Sequence, residues 1–202
     1  VIQTIFFGGG TPSVFEPILI GKIINYVREN FVLSVDAEVT LEANPGASDR
    51  AKFEGYREVG VNRLSIGVQT TQDHLLDKLG RVHSGNEAMR ALSDAKKIFD
   101  NINVDLMFAL PGQQIDELRR DLSGVLEFVP EHLSIYQLTI EPNTWFYRYP
   151  PKLPDDDLAS EMQFEIESIV DKCGYDQYEV SAFSKPDRQC SHNINYWKFG
   201  DY

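Results

Sequence analysis

Five short apolar, β-branched runs, each followed by a longer stretch of helical periodicity, constrain the fold of this chain most strongly. Strict alternation of strand and helix requires a parallel sheet covered by helices, so the chain is predicted to be α/β, with either a doubly wound sheet or a barrel. The predicted strands are Ile2–Phe7, Ala37–Ala43, Arg63–Val68, Val104–Leu110 and Leu133–Leu138. The predicted helices are Pro17–Glu29, Ser48–Val59, Thr71–Leu79, Asn86–Phe99, Ile115–Phe128 and Asp155–Cys173.

The length of the chain indicates its domain organisation. With 202 residues, of which 42% are hydrophobic, it can form the core of one domain over residues 1–202, or the bulk of a larger one. The first residue, Val1, already belongs to a strand-like run, without Met or a polar lead-in. We interpret the chain as a fragment of a longer protein.

Charge and cysteine content exclude several function classes. The formal net charge of −12 repels phosphate backbones and anionic lipids, so nucleic acid is not an expected partner. The chain has neither an apolar run of about 18 residues nor a basic signal-peptide start, which predicts a cytoplasmic protein. Cys173 and Cys190 are the only cysteines, too few for a disulfide framework or for a cluster held by thiolates alone, so reduced thiols are expected.

The first predicted strand ends in the glycine-rich run Gly8-Gly9-Gly10-Thr11-Pro12. Glycines let the backbone approach a ligand closely, although one or two of them would also serve a tight turn. The run matches neither the phosphate-binding P-loop nor the dinucleotide pattern. Three glycines at a strand end favour ligand contact.

Polar residues also follow the other strands, and ligands of parallel α/β folds bind beyond the carboxyl ends of the strands. Glu42 could accept hydrogen bonds from ribose hydroxyls, and Arg81 could pair with a carboxylate. A helix cap and a surface salt bridge are the alternatives for these two residues. Asp105 is expected to point inward and to have a partner. With Gln69, they form a polar ring suited to a zwitterionic nucleoside.

A separate group lies near residue 192. His192 could ligate iron, and Tyr196 and Trp197 could stack on a flat macrocycle. The alternative is a turn-capping histidine beside core aromatic residues, and the chemistry alone favours it. The other three histidines have no metal-ligand spacing and are predicted to be surface or turn residues: His74, His83 and His132.

Together, these motifs resemble the oxygen-independent coproporphyrinogen oxidase-like radical S-adenosylmethionine (SAM) family over essentially the whole chain. The matching segments are Gly8–Pro12, Leu41–Pro45, Arg63–Gln69, Gly80–His83, Asp105–Met107 and Leu110–Gln113. The resemblance implies a partial (β/α) barrel of the radical SAM type without its first strand. By position, it implies that Gly9, Gly10 and Thr11 contact the methionine part of SAM.

The same resemblance assigns further SAM contacts. It places Glu42 on the ribose and Arg81 on the SAM carboxylate. Gln69, Asp105 and Thr139 match other positions of the SAM pocket.

Two segments resemble the HemW-type heme-chaperone branch of this family: Glu141-Pro142-Asn143-Thr144 and His192-Asn193-x-x-Tyr196-Trp197. The resemblance implies that His192 binds heme. The family also holds a [4Fe-4S] cluster through a Cys-x-x-x-Cys-x-x-Cys motif, which is absent here and would precede Val1. The cluster ligands are therefore expected outside this chain, and the chain as given is not expected to reduce SAM.

Three hypotheses for the function follow. The first is heme binding and transfer to an acceptor protein, with heme and SAM as ligands. The second is oxidative decarboxylation of the propionate side chains of coproporphyrinogen III. The third is a nonradical barrel that binds another nucleotide or phosphate ligand. A missing first strand would leave an open sheet edge, which predicts self-association.

Overall fold

A computed structural model describes residues 1–47 and 50–201 of the chain. Its strands are β1 (Ile2–Phe7), β2 (Leu33–Ala43), β3 (Arg63–Gln69), β4 (Ile102–Phe108), β5 (His132–Gln137), β6 (Asp176–Gln177) and β7 (Ala182–Ser184). Its helices are α1 (Pro17–Asn30), α2 (Arg50–Glu58), α3 (Asp73–Lys78), α4 (Gly85–Ile98), α5 (Ile115–Leu126), α6 (Trp145–Arg148), α7 (Asp156–Lys172) and α8 (Ser191–Trp197). Short 3-10 turns lie at Pro12–Val14 and Pro45–Ala47.

The strands form one curled, half-barrel sheet in the order β1-β2-β3-β4-β5-β7-β6. β1 to β5 pair in parallel, while β7 pairs antiparallel with both β5 and β6. The register places Gly67 of β3 beside Asp105 of β4, and Asp105 beside Ser134 of β5. The carboxyl ends of the parallel strands therefore meet at one edge of the sheet.

The two faces of the sheet have opposite character, because successive side chains of a strand point to opposite sides. The outward face carries fully buried residues such as Leu41, Leu64 and Val104, which join the helices in one hydrophobic core. The inward face of β4 and β5 is polar and carries Asn103, Asp105 and Ser134. Burial of apolar surface on the outer face stabilises the sheet and leaves the inner face for polar groups.

The predicted partial barrel is confirmed, and the five predicted strands correspond to β1 to β5 with shifted ends. Strand β2 begins four residues earlier than predicted, at Leu33, and α3 begins only at Asp73. The predicted helix start at Ser48 lies outside the described residues. Sequence periodicity did not predict β6, β7, α6 or α8. β6, β7 and α6 have two to four residues, too few to show a period, and the seven residues of α8 are mostly polar or aromatic.

The prediction of a surface or turn position is wrong for His132, which lies in β5 and is fully buried. His83 lies in the turn between α3 and α4, one of the two predicted positions, but it is buried, with an exposed fraction of 3%. Both histidines can be buried because hydrogen bonds within the protein replace their hydrogen bonds to water. His83 Nε2 contacts the Val68 carbonyl, and His132 contacts side chains through both ring nitrogens. His74, in contrast, is exposed and lies 3.1 Å from Glu117.

Within residues 1–47 and 50–201, no helix combines the length and the apolar character needed to cross a membrane.

Candidate ligand site at the strand ends

A cavity of about 270 Å³ opens at the carboxyl ends of the parallel strands. We call it the strand-end pocket. Six of the residues that the sequence singled out line it: Gly10, Thr11, Glu42, Gln69, Arg81 and Asp105. Pro12, Ala43, Asn44, Ser65, Gly67 and Tyr136 complete the lining. The sheet therefore gathers residues that are separated by up to 126 positions in the chain, from Gly10 to Tyr136.

The segment after β1 forms one wall of the pocket through Gly10, Thr11 and Pro12, while the predicted contact Gly9 is not among the lining residues. Gly9 and Gly10 have φ angles of +81° and +63°, a region that other residues adopt only with strain. The Gly9 amide donates a hydrogen bond to Glu42 Oε2 at 3.1 Å. A Cβ on Gly8 would lie 3.2 Å from the Glu42 carboxyl carbon and 2.8 Å from the Phe6 ring. The glycine run therefore holds the Glu42 carboxylate at the mouth of the pocket.

Gln69 occupies a strained position at the end of β3. Its φ is +67°, although it is not glycine, and its side chain is buried. A Cβ on Gly67 would come within 2.9 Å of Gln69 Nε2, so the glycine makes room for this amide. Such strain is concentrated at functional sites, because the surrounding structure must hold it in place. Here the buried Asp121 carboxylate fixes the next residues through Thr70 Oγ1 at 2.7 Å and the Thr71 amide at 2.8 Å.

Asp105 lies at the floor of the pocket and has the partners that the sequence predicted. Ser65 Oγ donates to Oδ2 at 3.1 Å, and Asn103 Nδ2 donates to Oδ1 at 2.7 Å. Burial raises the pKa of Asp105, and the nearby Glu42 carboxylate adds to the rise, while the two hydrogen bonds oppose it. A cationic ligand group would therefore stabilise the ionised form of this carboxyl.

Three polar lining residues were given no role by the sequence analysis: Asn44, Ser65 and Tyr136. A signal for two of them exists, because Ser65 and Tyr136 share the inward face of their strands with Gly67 and Ser134 by the two-residue alternation. Asn44 directly follows Glu42-Ala43 at the end of β2.

Thr139 is not among the residues that line the pocket. Its side chain is exposed, and its hydroxyl donates to Glu141 Oε1 at 3.2 Å. The chain leaves β5 at Gln137, so Thr139 lies beyond the alternation that aims Tyr136 into the pocket.

His192 lies on α8, is not among the residues that line the strand-end pocket, and packs on the inner side of β1. Its Nδ1 is 3.1 Å from Thr4 Oγ1, and its ring stacks on Phe6 with centroids 4.8 Å apart. Tyr196 meets the ring edge-on at 5.0 Å. Tyr196 and Trp197 are about half exposed, so the predicted constellation is one aromatic group at the surface. Burial lowers the pKa of His192, which favours the neutral imidazole that metals bind.

The side chains of the strand-end pocket suit a small zwitterionic ligand that also carries hydroxyl groups. Arg81 supplies a cation that can pair with a carboxylate, while Glu42 and Asp105 supply acceptors for hydroxyl or ammonium groups. A concave site at the carboxyl ends of parallel strands is the usual ligand position of such folds. These features define an α/β half-barrel with a polar pocket at the carboxyl ends of its parallel strands.

Comparison with known proteins specifies the class. Residues 1–123 match the model of the radical SAM superfamily. The chain belongs to the radical SAM superfamily. It is 46% identical over 202 residues to the heme chaperone HemW of Escherichia coli, covering 100% of this chain and 53% of that protein. With HemW of Buchnera aphidicola subsp. Acyrthosiphon pisum, the identity is 43% over 201 residues, covering 100% and 54%.

Among solved structures, the coproporphyrinogen III oxidase HemN of Escherichia coli is similar, with a TM-score of 0.83 and 26% identity. The match covers 97% of this chain and 46% of that one. This chain thus spans about half the length of the relatives it matches. Membership of the superfamily argues against the third hypothesis, the nonradical barrel.

The superfamily implies SAM and a [4Fe-4S] cluster, and the residues of this chain fit only the first. The carboxylates, amides and guanidinium of the strand-end pocket match the groups of SAM. Neither cysteine lines that pocket: Cys173 is exposed after α7, and Cys190 is buried before α8. Among the described residues, no group of three or more His, Cys, Asp and Glu side chains is placed to hold a metal ion.

Proposed function

We propose that this chain is the SAM-binding and heme-binding part of a heme chaperone, which binds heme and passes it to an acceptor protein. The observation that carries the proposal is its 46% identity, over all 202 residues, to a protein named as a heme chaperone. The chain covers only about half of that relative, so the function of the whole protein is part of the proposal.

In this proposal, heme is the cargo and His192 Nε2 is its axial ligand. Nδ1 faces Thr4 Oγ1 at 3.1 Å, and a hydrogen bond at one imidazole nitrogen fixes which nitrogen is open to a metal. The half-exposed rings of Tyr196 and Trp197 supply apolar surface against which a flat macrocycle can stack.

SAM is assigned to the strand-end pocket. Gly9, Gly10 and Thr11 contact its methionine part, and Glu42 accepts hydrogen bonds from the ribose hydroxyls. Arg81 pairs with the SAM carboxylate.

Gln69 and Asp105 are the remaining assigned contacts in the pocket, and Asp105 offers a carboxylate to the cationic part of SAM. Thr139, which the sequence also assigned, lies outside the lining and is kept only as a minor contact. Bound SAM, in this superfamily, is a source of radical chemistry.

Coproporphyrinogen III oxidation is the second candidate function, favoured by the TM-score of 0.83 with a protein of that name. Both candidates share the strand-end pocket and differ in the fate of the porphyrin. Full-length protein with a reconstituted cluster, tested anaerobically with coproporphyrinogen III, separates them. Formation of protoporphyrinogen supports the second candidate, and its absence supports the first.

Three further expectations belong to the proposal. Residues 1–202 act as a single unit, and the protein works in the cytoplasm. β1 has a sheet neighbour only on its β2 side among the described residues, and an open edge favours pairing with a second chain. Sedimentation at high concentration tests this self-association, and a strictly monomeric species contradicts it.

A heme titration followed by absorbance tests the proposed function. The parent chain is expected to give a saturable Soret shift, and His192→Ala is expected to lose at least about tenfold in affinity because the axial bond is lost. His74→Ala is the matched control, because His74 is an exposed histidine on α3 that pairs with Glu117 and does not belong to α8. Equal affinity in His192→Ala, or no shift in the parent, contradicts the proposal.

A further inference from the structure

A chain of hydrogen-bonded side chains runs through the inside of the half-barrel, from the strand-end pocket to the start of α8. It begins at Asp105, whose Oδ1 accepts a hydrogen bond from Asn103 Nδ2 at 2.7 Å. Asn103 Oδ1 lies 2.6 Å from His132 Nδ1, and His132 Nε2 lies 2.6 Å from the Tyr178 hydroxyl. The hydroxyl of Tyr178 then receives the Cys190 amide at 3.2 Å. We call these side chains, Asn103, His132 and Tyr178, the buried relay.

Asp105, the residue at which the hydrogen-bonded chain begins, fixes the direction of every hydrogen bond in the relay. The Asp105 carboxylate accepts, so Asn103 presents its amide nitrogen to it and its oxygen to His132. Nδ1 of His132 therefore carries the proton, and Nε2 accepts the Tyr178 O–H. The oxygen of Tyr178 is then left to accept from residues of the next segment.

Electrostatics keeps the relay in this one arrangement near neutral pH. Burial, and then the buried Arg63 guanidinium, hold the pKa of His132 well below its ordinary value, so the ring is neutral. Burial raises the pKa of Tyr178 to about 12, so its hydroxyl keeps its proton. Buried polar networks of this kind specify one arrangement because leaving any member unpaired is costly.

The relay ends on the segment that carries His192. Besides the Cys190 amide, the Tyr178 hydroxyl accepts from Asn193 Nδ2 at 3.4 Å. On the other side, the Glu38 carboxylate of β2 accepts the backbone amides of Ser191 and His192, both at 3.2 Å. Residues 190–193 are therefore held between two inward-pointing side chains of the half-barrel.

We propose that His132 and Tyr178 are positioning residues, which hold the Cys190–Asn193 segment, and with it the heme ligand His192, in a fixed place relative to the strand-end pocket. The inference rests on the proposed function for its heme part. Its positioning part stands on the geometry of the relay. It gives a role to a histidine that no ligand contact explains.

Tyr178→Phe tests the proposal with little change in volume, and Tyr175→Phe is its matched control. Tyr175 is a fully buried tyrosine, while Tyr178 is half-buried, and the Tyr175 hydroxyl donates to the Pro130 carbonyl at 2.6 Å, outside the relay. In Tyr178→Phe, the heme affinity is expected to fall about fivefold to tenfold. The variant loses the hydrogen bond that the hydroxyl donates to His132 and those that it accepts from the Cys190–Asn193 segment. The visible heme bands should broaden as the ligand geometry loosens. Tyr175→Phe should leave both readouts within about twofold of the parent.

Amide hydrogen exchange over residues 190–197 tests the positioning without heme. Exchange is expected to rise about fivefold to tenfold in Tyr178→Phe, with a smaller rise in the surface variant Asn193→Ala, and no rise in Tyr175→Phe. Unchanged exchange in both Tyr178→Phe and Asn193→Ala overturns the inference whatever happens to heme. Faster exchange, combined with equal heme affinity in His192→Ala, preserves the positioning role and instead overturns the proposed heme ligand.

Discussion

The strand-end pocket and the buried relay share the inward faces of β4 and β5, yet their polar side chains differ in exposure and in pairing. β4 supplies Asp105 to the pocket and Asn103 to the relay, and β5 supplies Tyr136 and His132 in the same way. In the pocket, polar groups face open space, and Tyr136 is 44% exposed. In the relay they are paired with each other, and His132 is fully buried.

A polar side chain on the inward face can therefore either bind a ligand or stabilise the fold. Which of the two it does depends on whether another segment of the chain covers it. Segment 190–193 covers the relay, so its side chains must satisfy one another. Among the described residues, no such element lies over the strand-end pocket, where the glycines of the first loop keep the approach open. We therefore expect substitutions in the relay to lower the stability of the fold, and substitutions in the pocket to lower the affinity for SAM.

The largest expected effect is that of His132→Leu. It removes one of the two hydrogen bonds to the Asn103 oxygen, which keeps the one from Ser134 Oγ, and it leaves the Tyr178 O–H without its acceptor. Together with the lost packing, this costs about 2–4 kcal/mol in the free energy of unfolding. For a chain of this size, the melting temperature should fall by roughly 5–15 °C. Thermal unfolding by circular dichroism measures it, with His74→Leu as the exposed control. A fall in melting temperature no larger than that of the control would mean that the relay does not stabilise the fold.

Next in size is the effect of Glu42→Ala on SAM binding. Loss of a carboxylate that accepts from ribose hydroxyls should weaken SAM by at least about tenfold. The melting temperature should change by no more than about 2 °C, because the side chain makes one exposed hydrogen bond to Gly9. Isothermal titration calorimetry measures the affinity. Glu141→Ala, an exposed acid outside the lining, is the control, and an equal loss there argues against the assigned pocket.

Asp105→Asn should separate stability from affinity. Because burial raises the pKa of Asp105 above its ordinary value of 3.8, the folded chain holds this proton more tightly than the unfolded chain. Its contribution to stability is therefore full below pH 3.8 and is lost as the pH rises through the raised pKa. At pH 7, the Asn variant should melt about 1–3 °C higher than the parent, and bind SAM more weakly.

The advantage of Asp105→Asn should vanish as the pH is lowered toward 3.8, where the parent carboxyl regains its proton. Melting curves across this range measure the difference. A lower melting temperature for the variant at pH 7 would contradict the assigned cost of ionising Asp105.

The smallest expected effect is that of Thr139→Ala, which should change the SAM affinity by less than about twofold. The Thr139 hydroxyl is exposed and bonded to Glu141, outside the pocket lining. Calorimetry under the same conditions as for Glu42→Ala measures it. A tenfold loss would show that the loop after β5 rearranges to reach the ligand.

Much of the fold and of the pocket could be predicted because both depend on local patterns. Strand–helix alternation predicts β1 to β5, and the polar residues at the strand ends, such as Glu42 and Gln69, converge wherever parallel strands end together. Tyr136 was missed because its inward aim depends on the alternation along β5 rather than on its own chemistry. Thr139 was assigned by motif position, which carries no information on where a side chain points.

The relay could not be predicted in the same way. His132 was predicted to lie at a surface or turn, because a lone polar residue in a sequence carries no sign of its partners. Its burial depends on Tyr178, which lies 46 positions later and reaches it from a segment with no periodic signal. Pairing between distant residues decides whether a polar side chain is exposed or buried.

We propose that one half-barrel holds two ligand sites, SAM at the strand ends and heme at α8. Amide spectra of the ¹⁵N-labelled chain, recorded with SAM and then with hemin, test it most directly. SAM is predicted to shift the amides of Gly9, Gly10, Gln69 and Asp105, while paramagnetic hemin broadens those of residues 190–197 and of Thr4. Hemin that broadens the strand-end amides and spares α8 would contradict the claim.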